Sequence, residues 1–226
     1  MSGDRVLPAP RFREFELGLT TRPYANHDRF GPEGVAAPCV VYVGGSVVRE
    51  KYERRRATEP RTLVEPFAQA LGPGPHGPVD LWVVPCPVDT GQDDEWMVGH
   101  YDDQLRPEVS LEPTALGCVG YSAGAHHALL LALIREAHAL AVLGPAGLHR
   151  TVDAKRHLLN SLASKRTRPL QARGFNNDRD PAGAHTQWSR SLPPGIHVSW
   201  EQRPGTHRFP SYVDLHVLRE LGVVAP

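Results

Sequence analysis

The segment Gly120-Tyr121-Ser122-Ala123-Gly124 carries the clearest chemical signal in the sequence. It joins an apolar run, Ala115 to Tyr121, to a stretch from Ala123 to Ala137 that is apolar almost all round. The first reads as a buried strand and the second as a buried helix. A serine between them, with glycines two places on either side, fits a sharp strand-to-helix turn that holds its hydroxyl out at the sheet edge. The glycines let the two backbones pass closely. The helix N-terminus then aims free N–H groups at the same spot. A serine held this way can attack an electrophilic carbonyl once a base removes its proton. The plainer reading is a tight turn with an ordinary serine, but a match placed between strand and helix is much rarer than a match by chance.

The elements that must position this serine alternate along the chain. Phe12 to Leu19 reads as an edge strand. Cys39 to Val43 is a β-branched run ending at Gly44-Gly45, and Asp80 to Pro85 is a second buried strand. Ala139 to Leu143, Pro169 to Phe175 and Ile196 to Glu201 follow. Helical spacing predicts helices at Arg61 to Leu71 and Ser211 to Leu221, with a Gly/Pro-rich loop from Leu71 to Pro78. Strands apolar on both faces and separated by helices indicate a mostly parallel sheet covered on both sides. In such a sheet, chemistry gathers at the carboxyl ends of the strands.

Gly120-Tyr121-Ser122-Ala123-Gly124-Ala125-His126-His127-Ala128-Leu129 resembles the nucleophile elbow of the α/β-hydrolase superfamily, nearest to its esterase and dienelactone hydrolase-like members. Ala125 stands where that version often has a second glycine. His126 matches a helix histidine of the esterases that is not their base. The resemblance runs from about Cys39 to the C-terminus, with loose motifs outside the elbow. It implies a single α/β-hydrolase domain over 1–226, with a mostly parallel sheet flanked by helices. It also implies a short or absent lid, with any cap confined to about 145–168 and built of one helix near Ala154–Ser164. In the superfamily the order is nucleophile, acid, histidine. That order implies His207 as the base, in the loop Pro204 to Pro210 after the last strand. His207-Arg208-Phe209 is similar to the His-x-Phe of dienelactone hydrolase-like proteins. His197, expected inside a strand, and His216, expected inside a helix, are poorer candidates. The acid falls in Phe175 to Pro181, where Asp178 has the better spacing and Asp180 is its rival.

Acyl transfer builds negative charge on the carbonyl oxygen, and preorganised N–H donors stabilise it. By the same resemblance, one donor is the backbone N–H of Ala123. The other comes from the loop after strand Cys39–Val43 and stays open between Gly45 and Ser46. Relatives usually begin this loop with His, where this chain has Val43. These residues imply a serine hydrolase of a small acyl ester or thioester. Two further readings stay open. One is an acyltransferase, cyclase or other non-hydrolytic enzyme using the same residues, because fold does not fix chemistry. The other is a binding protein that kept the fold.

The 226 residues suffice for one large domain, and 40% hydrophobic with 22% charged residues suits a folded core. Zero formal charge gives no general attraction to nucleic acid or an anionic membrane. The run Arg54-Arg55-Arg56 reads as a solvated face. Cys39, Cys86 and Cys118 cannot all pair and lie in or beside apolar runs, so they read as buried thiols of a reduced compartment. The N-terminal residues lack an apolar secretion segment, and the longest apolar stretch is too short to span a bilayer, so the expected location is cytoplasmic. Pro87 to Asp103, with Trp96, His100 and Tyr101, reads as a solvated loop, and its run Asp93-Asp94-Glu95 as surface. Adjacent His126 and His127 point in different directions on a helix. No metal and no cofactor is expected. The oligomeric state is left open.

Overall fold

A run such as Val40-Val41-Tyr42-Val43 has little choice but to pair as a strand buried on both faces. The computed structural model describes residues 11–16, 23–30, 38–46, 80–86, 115–145, 156–180, 185–190, 192–206 and 213–221. Its strands are β1 (Arg11–Glu16), β2 (Pro23–Phe30), β3 (Cys39–Ser46), β4 (Asp80–Cys86), β5 (Leu116–Tyr121), β6 (Ala139–Leu143), β7 (Gln171–Asn177) and β8 (Val198–Arg203). They form one sheet in the order β1-β2-β4-β3-β5-β6-β7-β8. β1 pairs antiparallel with β2, and β2 antiparallel with β4. All pairings from β4 through β3 to β8 are parallel. The described helices are α1 (Gly124–Ile134), α2 (Arg156–Ser164), α3 (His185–Arg190) and α4 (Val213–Glu220). The helix expected at Arg61 to Leu71, the loops Leu71 to Pro78 and Pro87 to Asp103, and Arg54-Arg55-Arg56 lie outside the described residues.

Period-two alternation sorts the sheet into two faces. Cys39, Val41, Val43, Cys118, Leu140 and Val142 pack in one cluster with α1, Leu159 of α2 and Trp188 of α3. Val40, Val119, Ala141 and Leu143 are also buried, and α4 packs against β5, β6 and β7. There Gly117 makes room: a Cβ on it would lie 2.3 Å from Cγ1 of Val217. Gly174 likewise gives its face to the Trp200 ring, which meets Trp188 edge-on at 5.8 Å between centroids. α1 is buried from Gly124 to Leu133, as its all-round apolar sequence requires. Cys39 and Cys118 are buried free thiols. Among the described residues, no helix is long and apolar enough to cross a membrane.

Several boundaries differ from expectation. β2 carries polar residues, Pro-Tyr-Ala-Asn-His-Asp-Arg-Phe, with no alternation to mark it; backbone pairing to β1 and β4 makes it a strand. β3 continues to Ser46 instead of stopping at Val43, through a register shift at Gly44-Gly45 that these glycines tolerate. β7 and β8 both extend beyond their expected ends. Asn176 and Asn177 pair with Gln202 and Arg203, so ladder hydrogen bonds override the poor strand propensity of asparagine. His197 accordingly precedes β8 rather than lying inside it. The six-residue α3 was not anticipated. The helix expected near Ala154–Ser164 is present as α2 over Arg156–Ser164, between β6 and β7, and it packs beside α1 through its buried Leu159.

α1 ends at Ile134 rather than Ala137. Glu136 adopts φ +50, and the N–H groups of Glu136 and Ala137 donate back to the carbonyls of Leu133 and Ala132. That is a left-handed C-terminal turn with glutamate where glycine usually sits. Arg166, just after α2, closes the end: Nη1 donates to the Ala132 carbonyl at 2.9 Å and Nη2 to the Ala137 carbonyl at 2.8 Å. Thr167 donates from N and Oγ1 to the Glu136 carboxylate, which lowers that group's pKa. The guanidinium thus gives the Ala132 carbonyl a second donor beside the Ala137 N–H and ties it to the Ala137 carbonyl just past the helix end.

Arg166→Met should lower stability by about 1–2 kcal/mol, the scale of charge-assisted bonds at a half-exposed site, read as a shift in the urea midpoint. A second expectation concerns pH. His216 of α4 has a pKa pushed below 6.5, first by burial, with its contact to the Gln171 carbonyl opposing. Its unfolded form takes up a proton before the folded form does. His216 therefore stabilises fully above pH 6.5 and progressively less as pH falls below it. His216→Gln should flatten this part of the stability profile, measured by urea titrations between pH 5 and 8.

Candidate active site

β5 delivers its last residue, Tyr121, to the carboxyl edge of the sheet, and α1 begins at Gly124. Ser122 bridges them with φ +53, a left-handed conformation that side-chain-bearing residues rarely adopt. Two backbone bonds hold it: its N–H donates to the Leu143 carbonyl at 2.9 Å, and its own carbonyl accepts from Ala125 N–H at 3.2 Å. Strain at a polar residue persists only where the surroundings over-determine it. Here those surroundings are glycines. A Cβ on Gly120 would sit 2.6 Å from Cα of Ala125. A Cβ on Gly124 would sit 2.2 Å from the Gly44 carbonyl oxygen and 2.5 Å from that of Val43. The turn is therefore pressed directly onto the end of β3.

The same contact brings an expected oxyanion residue to the serine. The Cβ position at Gly45 lies 3.2 Å from Cβ of Ser122 and 3.1 Å from Cδ1 of Tyr121. Ala123 follows the serine at the start of α1, where no side chain caps the helix. Ser46 pairs with Cys86 of β4 one residue further along. Ser122, Ala123 and Gly45 are thus together, and Ser46 adjoins them in the chain. His126 and His127 are both buried in the first turn of α1, with rings 4.2 Å apart.

The acid candidates follow β7 two strands away, which at strand spacing is about 10 Å across the sheet. They have different surroundings. Asp178 is exposed, and its Oδ1 accepts the Gly205 N–H at 2.8 Å. Asp180 is half-buried, and its negative charge reaches Tyr121. Burial first, then that charge, pushes the Tyr121 phenol up to about 12. Further bonds tie the β7 exit to the β8 exit: Asp178 N–H donates to Arg203 and Arg179 N–H to Gly205, each at 2.9 Å. Asn177 Nδ2 donates to the Thr206 carbonyl at 2.6 Å. His207, the expected base, lies outside the described residues and directly follows Thr206 in the chain.

Sequence reasoning missed Asn177, Gly205 and Tyr121. Asn177 lies in the segment Phe175 to Pro181 expected to hold the acid; its place near the carboxyl end of a strand is the one local signal, and its partner is 29 positions away.

No protein-family model matches the sequence, and no curated protein matches it. Solved structures do resemble it. Est1E from Butyrivibrio proteoclasticus aligns over 96% of this chain and 96% of its own, at 15% identity and TM-score 0.58. A puromycin-hydrolyzing peptidase from Mycobacterium tuberculosis aligns over 95% of this chain and 40% of its own, at 14% identity and TM-score 0.54. XC6422 from Xanthomonas campestris, an α/β serine hydrolase without a lid, aligns over 95% of this chain and 90% of its own, at 14% identity and TM-score 0.50. The chain has the α/β-hydrolase fold.

The packing at the turn is testable. Gly124→Ala should cost about 3 kcal/mol, the upper end for overpacking, because its methyl would meet backbone carbonyls that cannot rotate away. Gly45→Ala, whose contacts are looser, should cost less; urea midpoints of the two variants give the comparison.

Proposed function

We propose that this α/β-hydrolase-fold chain is a serine hydrolase that cleaves a small acyl ester or thioester, with Ser122 as nucleophile, His207 as base and Asp178 as acid. The observation that carries the reading is Ser122 at φ +53 between a buried strand and a buried helix, a strain with no evident structural use and an obvious chemical one. The names of two structural neighbours, a puromycin-hydrolyzing peptidase and an α/β serine hydrolase without a lid, agree in class.

In this reading Ser122 Oγ attacks the acyl carbon while its proton passes to the His207 imidazole. The carbonyl oxygen, now negative, takes hydrogen bonds from the Ala123 N–H and from the backbone at Gly45 or Ser46. As the tetrahedral centre collapses, the imidazolium gives its proton to the departing alcohol or thiol. Water then attacks the acyl-enzyme and loses a proton to the imidazole, which passes it to Ser122 Oγ as the acyl bond breaks and the acid is released. Asp178 orients the imidazole and balances its charge. Support for Asp178 over Asp180 is the bond from Gly205 N–H to its carboxylate. That bond fastens it to the backbone two residues before His207.

A fluorophosphonate should label the native protein at Ser122 and fail to label Ser122→Ala; a native protein that takes no label would remove the reading. With p-nitrophenyl butyrate, Asp178→Asn should lower kcat about a hundredfold or more, since asparagine keeps the acceptor and loses the charge. A larger loss in Asp180→Asn than in Asp178→Asn would transfer the acid role to Asp180.

A further inference from the structure

The exits of β7 and β8 are joined by more than the sheet ladder. Asp178 N–H donates to Arg203, Arg179 N–H to Gly205, and Gly205 N–H to Asp178 Oδ1. These three bonds involve backbone or an exposed carboxylate. The fourth has a different character. Asn177 is 3% exposed, and its Nδ2 donates to the Thr206 carbonyl at 2.6 Å. Its Cγ and Oδ1 lie 3.4 and 3.6 Å from where a Cβ on Gly205 would stand. Gly205 has φ +150, a conformation that side chains rarely adopt, and its open side faces the Asn177 amide.

The bond's location decides its use. The carbonyl of Thr206 belongs to the peptide unit that contains the His207 nitrogen. That planar unit cannot twist without breaking resonance. Holding its oxygen therefore sets the direction in which the chain leaves toward His207. A buried amide is well suited to this, because it sits in a protected site and offers a donor where a carboxylate would offer only acceptors.

Resting on the proposed Ser122–His207 chemistry, we infer that Asn177 is a positioning residue for the catalytic base: its buried amide grips the Thr206 carbonyl and so fixes the peptide unit from which the chain continues into His207. It touches neither substrate nor the reacting atoms. Misplacing a reacting group by about 1 Å costs on the order of a hundredfold in rate, which sets the size of the effect.

The experiment compares Asn177→Ala, Asn177→Leu and Asn177→Asp with the native chain, using p-nitrophenyl butyrate turnover, fluorophosphonate labelling of Ser122 and thermal melting. Leucine keeps the branched shape without the donor, and aspartate keeps the shape with acceptors only. Each variant should lose about 10- to 100-fold in kcat and in labelling rate with KM within about twofold, aspartate losing most. In the proposed chemistry the acid limb of the kcat/KM profile should move to lower pH, because an imidazolium with a weaker carboxylate partner gives up its proton more readily. Native kcat and an unmoved profile in folded Asn177→Leu would overturn the inference, reducing the residue to packing. If alanine or aspartate fails to fold, the leucine variant alone decides. His207→Ala serves as the separate control: if it keeps native turnover, the underlying assignment of the base fails, whatever Asn177 does.

Discussion

One backbone conformation governs the rest of the site. Ser122 is held at φ +53 in a turn too tight for a Cβ on either flanking glycine. A left-handed serine costs on the order of 1–3 kcal/mol, so the surrounding packing must supply more than that. It does so through contact between backbones. Gly124 lies against the carbonyls of Val43 and Gly44, and Gly45 lies against Tyr121 and Ser122. The nucleophile turn and the end of β3 therefore form one packed unit. The hydroxyl and the backbone proposed to stabilise its product cannot move independently.

The two ends of the sheet are secured by different chemistry. At the amino edge, remote from Ser122, the end of α1 is closed by Glu136 in a left-handed turn and by Arg166 bridging two carbonyls. This ties the end of the helix to the chain that follows α2. At the carboxyl edge, the bonds join one strand exit to another: β7 to β8 through Asn177 and Asp178, and β5 to β6 through the Ser122 N–H and Leu143. Parallel strands all finish at this edge, so residues far apart in the chain arrive side by side there. Asp178 and Asp180, two positions apart, part company: one reaches toward Gly205 and the other acts on Tyr121. Neighbours in sequence thus serve different parts of the same edge.

Most of the architecture was legible in the sequence because its strands are apolar on both faces. Cys39 to Val43, Leu116 to Tyr121 and Ala139 to Leu143 cannot be exposed without large loss, and burying them on two sides demands helices between them. The Gly-x-Ser-x-Gly pattern was legible for a related reason: only glycine survives at positions that close on another backbone. The sequence alone therefore determined the sheet, the order of its central elements and the placement of Ser122 at a turn. Tertiary structure decided what local pattern does not encode. Polar β2 became a strand because the ladder of β1 and β4 supplied its partners. Leu159 of α2 joined the core cluster because the connection from β6 to β7 lays that helix beside α1. Asn177 met Thr206 only because β7 and β8 lie side by side. Burial is a property each residue announces by its own chemistry. Hydrogen-bond partnership across 29 positions belongs to a pair, and only the folded sheet chooses the pair.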